Sequence, residues 1–156
     1  MFHRLLVPIK PEGKPALDVN ALVAFARSSN AAIVFVSVVA DPDVALTGRS
    51  AALVLATGRV RRERAASTLR QIEEHLQRQD LNVQSLVLEG HVAASVVAAA
   101  RELGCDAIVL ARRLSGRSAS LTGRVGDTIV RGSVVPIIIM VSDVEGGSAP
   151  PRQPTA

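Results

Sequence analysis

The chain of 156 residues contains no tryptophan, no tyrosine and only three phenylalanines. Its core must therefore be built from aliphatic side chains. Proteins that hold single-stranded nucleic acid stack the bases on aromatic side chains, which this chain lacks. It also carries no signature of a nucleic-acid-binding module. We therefore expect no nucleic-acid partner.

Cysteine is scarce as well. The one cysteine, Cys105, precedes an apolar run, which favours a small buried hydrophobe over a reactive thiol. A single cysteine forms no disulfide within the chain, so we expect a reducing, cytoplasmic setting. No apolar run reaches the roughly 18 residues that span a bilayer. Pro8 and Lys10 interrupt the short apolar N-terminus, and we expect neither a signal peptide nor a membrane span.

Acidic residues are outnumbered by basic ones. The chain has 18 Lys and Arg against 14 Asp and Glu, a formal net charge of +4, and a pI near 10.5. The segment Leu110–Arg131 holds five arginines and one acid, Asp127, so five minus one gives a local excess of +4. A ligand site in this segment would be basic, and it would favour an anionic ligand.

Apolar runs and helical spacing alternate along the chain. The predicted strands are Arg4–Ile9, Ala32–Val39, Leu81–Leu88, Asp106–Ala111 and Pro136–Val141. The predicted helices are Pro15–Ser28, Ser50–Gln79, Val92–Leu103 and Arg124–Arg131. A β-α-β-α-β-α-β-α-β order predicts an α/β fold, a doubly wound five-stranded parallel sheet with helices on both faces. We expect one domain over residues 1–141 and a disordered Gly-, Ser- and Pro-rich tail over 142–156.

Ligands of such sheets bind at the carboxyl ends of the strands, where the strand order reverses. The predicted topology brings together the ends of strands one and four, near Lys10 and Ala111. The segment after strand four then leads to a helix N-terminus near Gly123, which favours anions. We therefore predict the ligand site there.

Six segments, in this order and spacing, resemble the universal stress proteins over residues 3–141. They are Leu5–Lys10, Phe35–Val39, Glu89–Val92, Cys105–Ala111, Gly123–Val130 and Pro136–Ile139. The resemblance implies a Rossmann-like fold of the adenine nucleotide alpha hydrolase type. It also implies a role in stress response and a homodimer formed through the last strand, here Pro136–Val141, an apolar edge that would need covering.

Many members of that family bind ATP through a Gly-x2-Gly-x9-Gly-(Ser/Thr) loop and an aspartate after strand one. Here Lys10 stands at the place of the aspartate. Gly123 matches the third glycine, and Arg124 replaces the Ser/Thr. The first two glycines are missing in both defensible registers, which use either Leu110 with Arg113 or Ala111 with Leu114. A rival register from Gly116 to Gly126 keeps two glycines. It places Asp127 at the motif position of the Ser or Thr, however, and the distance from the last glycine to Pro136 then no longer matches the family.

Two interpretations stay open. In the first, the chain is a regulatory or interaction protein that does not bind ATP in the family's usual manner and needs no cofactor. In the second, a basic cleft of Lys10, Arg112, Arg113 and Arg124 binds an anion or a nucleotide. We expect no enzyme activity and no metal site, because no catalytic or metal-ligating set of residues is evident. The positions that the resemblance assigns to the ATP site are Pro8, Ile9, Lys10, Val38, Leu110, Ala111, Arg112, Arg113, Gly123, Arg124 and Val125.

Overall fold

The computed structural model describes residues 1–11, 16–40, 50–113 and 123–142, in which strands and helices alternate. The strands are β1 (Arg4–Pro8), β2 (Ala32–Val39), β3 (Val83–Glu89), β4 (Ala107–Arg113) and β5 (Ile137–Ser142). The helices are α1 (Val19–Ser29), α2 (Ala51–Gln77), α3 (Val92–Glu102) and α4 (Gly123–Gly132). The predicted order of elements is confirmed.

The five strands are parallel and lie in the order β3-β2-β1-β4-β5. From β1 the chain moves outward through β2 to β3, and then it crosses to the other side of β1 to form β4 and β5. The strand order therefore reverses between β1 and β4, which leaves a crevice at their carboxyl ends. This is the predicted doubly wound sheet and the predicted reversal point.

Each face of the sheet packs against its own layer of helices. On one face, Leu5 and Phe35 from the sheet belong to the same buried cluster as Leu69 of α2. On the other face, Leu6 from β1 is buried together with Val96 of α3. Strands covered on both faces read as continuous apolar runs, and β2, AIVFVSVV, is buried along nearly its whole length.

Helix α1 begins later than the sequence pattern predicted, at Val19 rather than at Pro15. The carboxylate of Asp18 is the reason, because it accepts hydrogen bonds from the backbone N–H groups of Asn20 (3.0 Å) and Ala21 (3.2 Å). An aspartate at this position satisfies N–H groups that have no partner within the helix. The predicted first residue, Pro15, lies outside the described residues.

Two other predicted boundaries are wrong at the end of the sheet. Strand β4 continues to Arg113, because Arg112 pairs with Val141 and Arg113 pairs with Ser142. Both arginines are therefore strand residues and not loop residues. Ser142, predicted to open the tail, belongs to β5, where it is buried and its hydroxyl donates to the carbonyl of Ala16 (3.2 Å). The remaining predicted tail, 143–156, and most of the predicted loop, 114–122, lie outside the described residues.

Candidate functional site

A cavity of about 310 Å³ lies in the crevice at the carboxyl ends of β1, β2 and β4. Val36 and Val38 of β2 and Leu110 of β4 form its floor. Helices α3 and α4 contribute its wall, through Val96 and Ile129. Small-molecule sites have volumes of about 300–1,000 Å³, so this cavity lies at the lower end of that range. The reversal point predicted from the sequence is thus a cavity.

The lining of this cavity, which we call the carboxyl-edge cavity, is almost wholly aliphatic. Val96 and Ile129 are buried, and no aromatic side chain is among the described residues that line it. A flat or aliphatic group would be held by shape and by burial of apolar surface, since no ring is present to stack on it. Of the groups that the described residues offer, a polar ligand atom deep inside could bond only to backbone groups.

Lys10 is the one charged residue among the described residues of this lining. Lys10 lies two residues after the end of β1. The intervening Ile9 still donates its N–H to the carbonyl of Val36 (2.8 Å), so the hydrogen bonding between β1 and β2 continues up to Lys10. Lys10 is exposed, and no hydrogen bond or ion pair holds it within the described part of the chain. Its ammonium group is therefore available for an anion at the mouth of the cavity.

Helix α4 presents its N-terminal turns to the same cavity. It begins at Gly123, as the resemblance predicted, and Val125, Gly126 and Ile129 line the cavity. Gly126 is buried there, so the helix backbone itself is part of the wall. The unpaired N–H groups of a helix N-terminus attract negative charge. Arg124 is exposed and is not among the described lining residues.

The cavity brings together seven of the eleven positions that the resemblance assigned. They are Pro8, Ile9, Lys10, Val38, Leu110, Ala111 and Val125. Gly123, Arg112 and Arg124 are described but are not among the lining residues, and the side chain of Arg113 lies outside the description. Sequence reasoning missed Val92 and Val96 of α3, although the Ala/Val-rich helix pattern already placed a helix there.

A second, larger depression of about 540 Å³ lies at the amino ends of the strands, and we call it the amino-edge pocket. Its lining includes Arg4 and Arg27, which the sequence did not single out. The guanidinium of Arg4 donates to the carbonyl of Leu103 (2.7 Å), and that of Arg27 donates to the carbonyl of Gln79 (2.9 Å). Both carbonyls lie at the ends of helices, where such groups lack helical partners.

Asp106 joins the N-terminal segment to the start of β4. Its carboxylate accepts from the backbone N–H groups of His3 (2.7 Å) and Arg4 (3.1 Å). Partial burial raises the pKa of Asp106, but these hydrogen bonds lower it by more, so that it lies below its ordinary value of 3.8. Next to it, Cys105 is buried, as predicted, and burial raises the pKa of its thiol.

Two kinds of feature are not found in the described part of the chain. No three His, Cys, Asp or Glu residues there are grouped so that they could hold a metal ion. No described helix has the length and apolar character needed to cross a membrane.

Comparison with known proteins gives the family. Residues 1–140 match the family model described as "Universal stress protein family". The chain belongs to this family. None of the curated proteins matches the chain. Membership supports a role in stress response, and it confirms the resemblance predicted from the six sequence segments.

Solved structures of universal stress proteins share the fold. UspA from Lactobacillus plantarum is 17% identical, with a TM-score of 0.72 over 88% of this chain and 97% of that one. A universal stress protein in complex with cAMP is 17% identical, with a TM-score of 0.63 over 89% and 97% of the two chains. A universal stress protein from Archaeoglobus fulgidus in complex with dAMP is 16% identical, with a TM-score of 0.61 over 88% and 96%.

Proposed function

We propose that this universal stress protein acts by binding a small ligand in the carboxyl-edge cavity, and not by catalysis. The ligand has an apolar or heterocyclic body and one anionic group, as a nucleoside monophosphate or a cyclic nucleotide does. The observation that carries the proposal is an aliphatic cavity of about 310 Å³ with Lys10 as its only charged residue among the described lining. Binding would make the protein a regulatory component of a stress response.

The size and lining of the cavity favour a body no larger than a nucleoside. Val36, Val38 and Leu110 surround the space with methyl groups, so burial of the ligand's apolar surface supplies the main driving force. Two structures with the same fold are complexes with cAMP and dAMP, each of which carries one phosphate on an adenine nucleoside. They support a ligand of this class.

The charge of the site favours one phosphate over three. Lys10 is available at the mouth, and the N-terminus of α4 adds a partial positive charge nearby. Where the family's glycine loop would begin, Arg112 and Arg113 are instead paired to β5. A triphosphate would therefore lack the backbone cradle that glycines provide. ATP bound with magnesium in the family's usual manner is not the ligand that we propose.

The alternative basic cleft remains a second candidate, because the chain carries a local excess of arginine. In that reading Arg112, Arg113 and Arg124 join Lys10 around an anion. The described lining favours Lys10 alone, since neither Arg112 nor Arg124 belongs to it. Substitution of Arg124 separates the two, because only the basic cleft uses this side chain.

We also propose that the protein is a homodimer through β5. This strand forms one edge of the sheet, and Ile139 (38% exposed) and Val141 (51% exposed) leave apolar surface on it. Exposed apolar edges attract a covering strand. Ile139→Lys should abolish association through β5 in sedimentation velocity, and an association state unchanged by the substitution would rule out this interface.

Calorimetric titration with AMP, cAMP, adenosine and ATP plus magnesium tests the ligand proposal. We expect AMP and cAMP to bind with similar affinity. Adenosine should bind about fivefold more weakly, because it lacks the charge that Lys10 contacts, and ATP with magnesium should bind at least tenfold more weakly. Magnesium-dependent ATP binding tighter than AMP binding would contradict the proposal. So would the absence of binding by all four compounds.

A further inference from the structure

The edge of the sheet formed by β3, on the side opposite β5, is open to another strand. β3 pairs with β2 over all of its seven residues, from Val83 to Glu89. No strand lies along its other edge in the described part of the chain. Natural edge strands are usually protected by proline, lysine, a bulge or short length. The sequence VQSLVLE contains no proline, lysine or glycine, and its one charged residue, Glu89, stands at the end, so most of this edge lacks the usual protection.

The hydrogen bonds to β2 show which backbone groups point outward. The N–H of Ile33 donates to the carbonyl of Asn82 (2.9 Å), and the N–H of Gly90 donates to the carbonyl of Val39 (3.1 Å). Even-numbered residues of this segment therefore direct their backbone groups towards β2, because the direction alternates along a parallel strand. The residues whose N–H and C=O groups point outward are Val83, Ser85, Val87 and Glu89.

These outward groups are almost all without partners among the described residues. The carbonyl of Val83 accepts one long bond, from the side-chain amide of Gln77 (3.4 Å). The remaining N–H and C=O groups of the four residues have no protein partner there. They form a regular row of donors and acceptors along one edge.

We propose that this row pairs antiparallel with the β3 edge of a second copy of the chain, with Leu86 on the two-fold axis. In this register Val83 lies opposite Glu89 of the second copy, and Ser85 lies opposite Val87 of the second copy. Each such pair exchanges two hydrogen bonds, so every outward group finds a partner. An axis through any other residue of β3 leaves part of the strand unpaired.

The side chain at the axis fits this arrangement. Leu86 is 38% exposed, although Leu88, which shares its face of the strand, packs against the core. Because its backbone groups point towards β2, Leu86 would face its twin as a non-hydrogen-bonded pair. Such pairs have the closest approach in an antiparallel sheet, with about 4.5 Å between Cα atoms. The pairing would remove an exposed leucine from water on each chain.

Both helical layers leave room for the second copy. On the face of α2, an open groove lies between the helix and the carboxyl half of β3, with Ala66 and Val87 among its lining residues. On the other face, the exposure of Leu86 shows that the helical layer does not cover the strand edge. A sheet continued through β3 therefore has open space beside α2 along the carboxyl half of the strand, and at the amino half the long bond from Gln77 to the carbonyl of Val83 would be replaced.

The charges beside this edge favour a second copy over a strongly charged partner. The groove is lined by two basic and two acidic residues, and Arg62 Nε lies 2.7 Å from Glu89 Oε1. A two-fold interface sets a surface against itself, so a surface of balanced charge meets its copy without net repulsion. An acidic or a basic peptide would gain no net attraction here.

Disulfide trapping tests the register. We expect the variant Leu86→Cys to form a covalent dimer on mild oxidation, since a self-opposed pair at this spacing meets the Cα separation of 4.4–6.8 Å that disulfides need. The matched control is Gln84→Cys, because residue 84 would face Leu88 of the second copy and not itself. The control should cross-link at least tenfold more slowly. A Leu86→Cys protein that stays monomeric under denaturing conditions, or equal rates for the two variants, would overturn the proposal.

A second measurement separates this edge from the proposed β5 dimer. In sedimentation velocity of the full chain, Leu86→Lys should abolish association through β3 and leave β5 pairing intact, whereas Ile139→Lys should do the reverse. The double variant should be a monomer. If Leu86→Lys sediments like the unsubstituted protein at every concentration up to the millimolar range, β3 is not an association edge. Far-ultraviolet circular dichroism of each variant checks that the fold is retained.

Discussion

The two ends of the parallel strands carry depressions of opposite character. The amino-edge pocket contains Arg4 and Arg27, each already bonded to a carbonyl at the end of a helix. The described lining of the carboxyl-edge cavity is aliphatic except for one cation, Lys10, which has no described protein partner. Polarity alone is therefore a poor guide to a ligand site. A charged side chain without a protein partner is better evidence for a ligand site than two charged side chains that already bond to backbone carbonyls.

The difference follows from the direction of the elements. In this fold each helix runs antiparallel to the strands, so helices end at the amino edge and begin at the carboxyl edge. Helix C-termini leave carbonyl groups without partners, and the two arginines bond to such groups. Helix N-termini leave N–H groups, which suit an anionic ligand. We therefore expect substitutions at the amino edge to change stability and substitutions at the carboxyl edge to change ligand binding.

The largest effect is expected from removing the carboxylate of Asp106 at the amino edge. Asp106→Ala should lower the free energy of unfolding by about 2 kcal/mol at neutral pH, because two backbone N–H groups lose a charged acceptor. Ligand binding at the other edge should be unchanged. Urea denaturation measures the stability. The control is Glu102→Ala, an exposed carboxylate nearby whose removal should change stability by less than about 0.5 kcal/mol.

The same carboxylate gives a pH dependence. The pKa of Asp106 is lower in the folded chain than its ordinary value of 3.8, so the charged form stabilises the fold. That contribution is complete above pH 4 to 5 and is lost as the pH falls through the lower, folded-state pKa. The stability gap between the unsubstituted protein and Asp106→Ala should therefore narrow below about pH 4. A gap that widens in acid would contradict this assignment.

The next effect is expected from filling the carboxyl-edge cavity. Ala111→Leu adds three carbon atoms to a lining residue and should weaken AMP binding at least tenfold, because the ligand and the new side chain compete for one space. The matched control is Ala32→Leu, the same change at a residue that lines the amino-edge pocket. Calorimetry should find AMP affinity within twofold of the original for the control. Equal losses in both variants would mean that the cavity is not the site.

A smaller effect is expected from removing the cation. Lys10→Ala should weaken AMP binding about fivefold and leave adenosine binding unchanged, since only AMP carries the charge. Arg27→Ala is the counterpart at the amino edge. It should cost about 1 kcal/mol of stability through the lost bond to Gln79 and leave both affinities unchanged. An equal loss of AMP and adenosine binding by Lys10→Ala would assign the lysine a structural role.

The smallest effect is expected at Arg124. This residue is exposed, and it does not belong to the described lining of the cavity. Arg124→Ala should leave AMP affinity within twofold of the original in calorimetry. A loss of tenfold or more would favour the alternative basic cleft over a site that uses Lys10 alone.

The sequence predicted the fold better than it predicted the site. The helical spacing of apolar residues and the apolar runs were enough to predict the order of helices and strands. The point where the strand order reverses followed from that order, and Lys10 and Ala111 do lie in the same cavity there. The predicted basic cleft rested on the number of arginines along the chain, and that number does not show which of them lie at the cavity. Arg112 and Arg113 extend β4, because they pair with residues of β5. This pairing is a long-range contact, so the local sequence does not indicate it.

The amino edge was missed for a similar reason. Arg27 lies 52 positions from Gln79, and Arg4 lies 99 positions from Leu103, so no window of sequence contains both partners. Only the folded chain brings the helix ends and β1 together. Val92 and Val96 of α3 were foreseeable as part of a helix face, but not as the wall of a cavity, because that requires the position of α4.

Titration of AMP into the protein, followed by NMR of the methyl groups of Val, Leu and Ile, tests the central claim most directly. We expect saturable shifts of the methyl signals of Val38, Leu110 and Ile129, which line the carboxyl-edge cavity. The methyl signals of Leu81, in the amino-edge pocket, should not move. Shifts confined to Leu81, or no shift at the three cavity residues at millimolar AMP, would contradict it.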